Sequence, residues 1–148
     1  MTIIELLEEK AIYFEKITEG LHLYADVKLV LDEKKALVHF KNLRKEYGAG
    51  HAFADFYYFR LDEEAKEMVD EILTVEQKSY LQMIKPDSDS VEEEIIFPLE
   101  DPLLEIIVKL NAHEILFSTI YFTSGGGRER TTWWGNYEHE YICFRDRK

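Results

Sequence analysis

Cysteine is nearly missing from this chain: Cys143 is the only one in 148 residues. An intramolecular disulfide is therefore excluded, and so is a thiolate metal cluster. A reducing compartment suits such a chain. Long apolar runs are missing as well, and no stretch approaches the ~20 residues that span a bilayer. The opening residues Met1-Thr2-Ile3-Ile4-Glu5 have neither the basic start nor the long apolar segment of a secretory signal. Together these absences predict a cytoplasmic protein.

Positive charge is also in short supply. Eighteen Lys and Arg stand against thirty Asp and Glu, for a net charge of −12. Such a surface repels a phosphate backbone and an anionic membrane, so neither nucleic acid nor membrane is expected as a partner. It attracts basic proteins. Motifs for metal and nucleophile chemistry do not occur. The histidines at 22, 39, 51, 113 and 139 form no pair at metal-ligand spacing. His139 and Cys143 would share a strand face but lie about 13 Å apart along it, too far to chelate one ion without a bend. Ser118 and Ser124 lack the Gly-x-Ser-x-Gly frame of a nucleophile elbow. Cys143, between Ile142 and Phe144, has the context of a small buried hydrophobe rather than an activated thiolate. No catalytic residue, metal or cofactor is expected.

What the chain does have is apolar mass. Apolar residues make up 46% and aromatics 14%, with nine Tyr and nine Phe. One domain over residues 1–148 is expected, burying about two-thirds of its unfolded surface.

The pattern along the chain alternates between two periods. Thr2 and Glu5 form a capping box that opens a helix over 2–19, ended by Gly20. Residues 21–31 alternate apolar and polar as a strand. Asp32 to Lys35 reads as a polar turn, and 36–43 as a returning strand with Ala36, Val38 and Phe40 on one side, so the pair predicts a hairpin. Gly48-Ala49-Gly50 breaks the chain, and the aromatic run 51–60 reads as a third strand. Asp62 caps a helix whose stripe is Ala65, Met68, Val69, Ile72 and Leu73. A second capping box, Thr74 with Gln77, restarts or kinks it toward Ile84. Residues 86–90 form a loop, and Pro98 makes 91–99 an edge strand. Asp101-Pro102 opens a helix to about Ala112. Residues 114–123 are apolar on both faces, as in an interior strand. A loop over 124–135 and a last strand over 136–145 complete the chain. The fold class is α+β: an antiparallel sheet of about five or six strands with helices packed on one face.

Charge is polarised along the chain. Asp87, Asp89, Glu92, Glu93, Glu94, Glu100 and Asp101 occupy 87–101 without a Lys or Arg, and the helix before them adds six acids against Lys66. Residues 128–148 carry five basic residues against four acidic ones, which leaves −13 in residues 1–127. A dense acidic face steers a basic partner. The C-terminal fifth differs. Gly125-Gly126-Gly127 with Arg128 and Arg130 offers backbone N–H groups and guanidinium groups to an anion, although no P-loop pattern is present. Trp133 and Trp134, the only tryptophans, lie beside it. In a strand they would point to opposite faces, one into the core and one outward.

Small size, acidity, the lack of a catalytic motif and the run Trp133-Trp134-Gly135-Asn136-Tyr137 before a last strand make the chain similar to small immunity proteins of bacterial polymorphic-toxin and contact-dependent inhibition systems. The resemblance implies a non-enzymatic protein that binds and neutralises one toxin domain, often a basic nuclease. The expected contact surface is Asp87, Asp89, Glu92, Glu93 and Glu94, with Trp133 or Trp134 as an aromatic anchor. The rival expectation is a small-molecule or anion-binding domain, or an enzyme, built on Arg128, Arg130, Trp134 and His139. A third is a self-association surface on the aromatic stretch 53–59.

Overall fold

Alternating side chains build a sheet whose two faces are both apolar, and that double demand organises the molecule. The computed structural model describes residues 1–87 and 94–148. In chain order the helices are α1 (Ile3–Glu8), α2 (Ile17–Leu23), α3 (Glu33–Tyr47), α4 (Glu63–Ile72), α5 (Val75–Ile84) and α6 (Asp101–Ala112). The strands are β1 (Ala25–Val30), β2 (Ala52–Asp55), β3 (Ile96–Pro98), β4 (Thr119–Phe122), β5 (Thr131–Gly135) and β6 (Glu140–Arg145). They form one antiparallel sheet in the order β1-β6-β5-β4-β2-β3. The fold is α+β.

One face carries Ala54, Ile120, Phe122, Trp133, Tyr141 and Cys143, packed under residues of α3 to α6. α6 is buried along most of its length, from Leu103 to Asn111. The opposite face carries Phe53, Tyr121, Ile142 and Phe144 and is covered by the N-terminal arm, with Leu6, Ala11, Ile12 and Phe14 buried against it. The arm is tied down by Thr132 Oγ1, which donates to the Ile12 carbonyl at 2.7 Å.

Several expectations from the sequence change here. The helix expected over 2–19 is two short helices. α1 keeps its Thr2–Glu5 capping box but stops at Glu8, and Lys10 at φ 63 turns the chain across the sheet. Gly20 lies inside α2 rather than ending a helix. A Cβ there would come within 2.4 Å of the Phe14 ring, so close packing explains the glycine.

The expected strand over 36–43 is α3. Ala36 and Phe40 fit either period, but Leu43 and Tyr47 extend a spacing of three and four, and all four are buried while Val38 is 55% exposed. The polar turn before it is the helix N-cap: Asp32 Oδ1 accepts from the Lys35 N–H at 2.8 Å. There is accordingly no hairpin there, and β1 pairs with β6 at the sheet edge instead.

β5 lies inside the stretch expected as a loop, and the last strand starts at Glu140 rather than 136. The helix break at Thr74, with its capping box, and the edge position of β3 match the sequence reading. The expected interior strand survives as β4, all four residues buried between β2 and β5. The aromatic stretch 53–59 is strand only as far as Asp55. Phe53, Phe56, Tyr58 and Phe59 are all buried, which removes it as a self-association surface.

Candidate functional site

Of the expected contact residues, Asp89, Glu92 and Glu93 lie outside the described residues. Asp87 is exposed, just beyond α5. Glu94 accepts from the Met1 amino group at 3.0 Å, beside the β3 edge. The tryptophans take opposite faces, as strand alternation demands. Trp133 is buried edge-on against Phe40 and His39, and its Nε1–H donates to Thr131 Oγ1 at 3.1 Å. It is a core residue and cannot anchor a partner. Trp134 is half-buried on the other face, stacked on Phe14 with ring centroids 5.6 Å apart.

The anion-binding alternative loses its cations to internal carboxylates. Arg130 grips Asp146 with two bonds of 2.8 and 2.7 Å and donates a third to the Lys10 carbonyl at 2.9 Å. That arrangement favours the charged carboxylate and holds the Asp146 pKa below its ordinary value. Arg128 pairs with Glu46 at 3.2 Å and lies over the Tyr47 ring. The glycines between Gly125 and Gly127 form a tight turn against the end of α3. A Cβ on Gly126 would come within 2.0 Å of the Glu46 carbonyl oxygen. His139 is exposed on the β5–β6 turn, at the far end of β5 from both arginines.

Sequence reasoning missed a different constellation, centred on Asp55 at the end of β2. Its side chain lies on the face covered by the N-terminal arm, at the floor of a cleft of about 450 Å³. Thr119, the first residue of β4, donates its backbone N–H to Asp55 Oδ1 at 2.7 Å. No Lys, Arg or His pairs with Asp55 among the described residues. Burial without a counter-ion disfavours the carboxylate and raises its pKa to about 7, despite the Thr119 hydrogen bonds that pull the other way.

Aromatic rings wall this cleft: Tyr13 and Phe14 from the arm, Tyr57 after β2, Phe117 and Tyr121 around β4, and Trp134 from β5. Burial, with the Asp55 charge as a further cause, pushes the Tyr57 pKa up to about 12 and raises those of Tyr13 and Tyr121. A second carboxylate, Glu15, is exposed at the rim. None of the twelve lining residues is basic. The chemistry on offer is attraction for a cation in an aromatic setting.

Other places offer less. A larger cleft, about 640 Å³, runs between the end of α3 and the start of α6. Its Arg44 is already held by Asp101 at 3.0 Å and the Leu99 carbonyl at 3.2 Å. Cys143 is buried on the α3–α6 face, where desolvation pushes its thiol up to about 11. Among the described residues no three His, Cys, Asp or Glu converge as metal ligands, and no helix is long and apolar enough to cross a membrane.

The acid-rich helix α4 presents Glu63, Glu64, Glu67 and Glu71 to solvent, and none of the four is in an ion pair with a described residue. Met68 on the same helix is 53% exposed, and Val75, the first residue of α5, is 74% exposed. Set against protein-family models, curated proteins and solved structures, the chain matches none.

Proposed function

We propose that this chain is a non-enzymatic binding module for a basic protein, of the immunity kind, which occupies a toxin domain and neutralises it. One observation carries the reading: Arg128 and Arg130, the cations of the rival anion site, are each paired with a carboxylate of this chain, whereas Glu63, Glu64, Glu67 and Glu71 of α4 are in no ion pair among the described residues. The unpaired charge of these four α4 side chains is acidic. Carboxylates spread along an exposed helix raise the encounter rate of a basic partner. Exposed Met68 and Val75 beside them supply apolar area that such a partner can cover. The compartment we assign is the cytoplasm.

The test is co-purification of the tagged chain from its native host at low and high salt, beside a variant with Glu63, Glu64, Glu67 and Glu71 all changed to Gln. A basic protein should be recovered at low salt, be lost at high salt and be lost from the variant. Recovery of no basic protein, or equal recovery by the variant, would overturn the reading.

A further inference from the structure

We propose that the Asp55 cleft receives a guanidinium side chain presented by the basic partner. This rests on the binding reading above and adds the recognition chemistry to it. The geometry is that of a cation site. A buried carboxylate lies at the floor, a second one, Glu15, at the rim, and no basic residue is present in the lining. Asp55 is 9% exposed and accepts the Thr119 backbone N–H, a neutral donor. A buried carboxylate without a counter-ion is costly, and an incoming cation relieves that cost.

The walls choose between cations. A guanidinium ion is planar, weakly hydrated and able to stack on aromatic faces while bonding a carboxylate with two N–H groups. An ammonium ion is compact and holds its water more tightly. Six of the twelve lining residues are aromatic, so the cleft removes water from whatever enters it, which favours arginine over lysine. The site is also held in place before any ligand arrives. Asp55 and Thr119 stand on neighbouring strands, and Trp134 is braced by its stack on Phe14, which in turn meets Phe144 edge-on at 4.7 Å. A preorganised site loses less entropy on binding.

The two tryptophans make the test direct, because Trp134 lines the cleft and Trp133 lies on the opposite face. The ¹⁵N-labelled full chain is titrated with N-acetylarginine methylamide, with the lysine analogue, and with the citrulline analogue, which is nearly isosteric but neutral. The arginine probe should move the Trp134 indole N–H signal and leave that of Trp133 in place. The citrulline probe should move neither, and the lysine probe should bind more weakly than arginine. Asp55→Asn should weaken the arginine probe by at least about tenfold, with the remaining spectrum unchanged. In the co-purification experiment the same variant should retain less of the basic partner.

A Trp134 signal that ignores the arginine probe, or an Asn variant that binds it equally, would overturn the proposal. Loss of the partner from the α4 glutamine variant would in that case leave the binding reading standing. A response to the small probe with undiminished partner recovery by Asp55→Asn would also overturn it, by marking the cleft as a site for free cations rather than for the partner.

Discussion

Asp55→Asn should stabilise the free protein, and the gain should grow with pH. The substitution keeps the shape and the oxygen that accepts from Thr119 N–H, and it removes the charge. The carboxyl pKa lies at 3.8 in a model compound and at about 7 in the fold. The shift is about three units, and each unit is about 1.4 kcal/mol. The sign follows from proton binding. Between pH 4 and 7 the folded chain holds a proton on Asp55 that the unfolded chain has released. Stability from this group is therefore greatest below the unfolded pKa, falls as pH rises toward 7 and is level above it.

The Asn variant has no such slope. Its advantage over the wild type should be about 2 kcal/mol at pH 5 and about 4 kcal/mol at pH 8.5, taken from the same shift. Urea unfolding of both proteins at several pH values measures this directly, and the difference between them cancels every other titrating group. A difference that does not change with pH would refute the argument from burial. A variant less stable than the wild type at pH 8.5 would show that the Thr119 bonds to the carboxylate outweigh its desolvation. A loss of about 4 kcal/mol is a large share of a domain's stability, and groups retained at that cost in clefts are concentrated at binding and catalytic sites.

Two further outcomes test the fold. The β5–β6 turn holds Glu138 at φ 59 and His139 at φ 61, both left-handed. Replacing Glu138-His139 with Asn-Gly should raise stability by about 1 kcal/mol, read as a higher urea midpoint, and no gain would mean the turn is unstrained. Within α3, Val38→Glu should be tolerated within about 0.5 kcal/mol. Phe40→Ala should cost about 3–5 kcal/mol, because the ring meets Trp133 and Tyr141 edge-on and is fully buried. Thermal melts of the pair check this, and equal losses at 38 and 40 would favour the period-two strand over the helix.

The contrast at α3 shows where local reading ends. Ala36, Val38 and Phe40 satisfy strand alternation as well as a helical stripe. Short apolar patterns of this kind do not carry enough residues to separate the two periods. Packing under Trp133 and Tyr141 decides the matter. β5 failed for a related reason. The glycines before it read as the start of a long loop, whereas its β-branched and aromatic residues complete the sheet between β4 and β6. The caps were legible: Thr2, Asp62 and Thr74 act through bonds to residues three positions away, so sequence spacing is spatial spacing.

The candidate site was least legible of all. Asp55 sits in sequence among aromatics and small apolar residues, with no motif around it. Its neighbours come from the arm, β4 and β5, far away along the chain. The net charge, the α+β class, the edge position of β3 and the opposed directions of Trp133 and Trp134 belong to the sequence alone, because each follows from composition or from contacts close in the chain. Which Trp is buried, which acids are paired and which carboxylate lies uncompensated in a cleft were decided by the tertiary structure. Those properties depend on solvent exclusion and on the nearest opposite charge, and both are set by residues that only folding brings together.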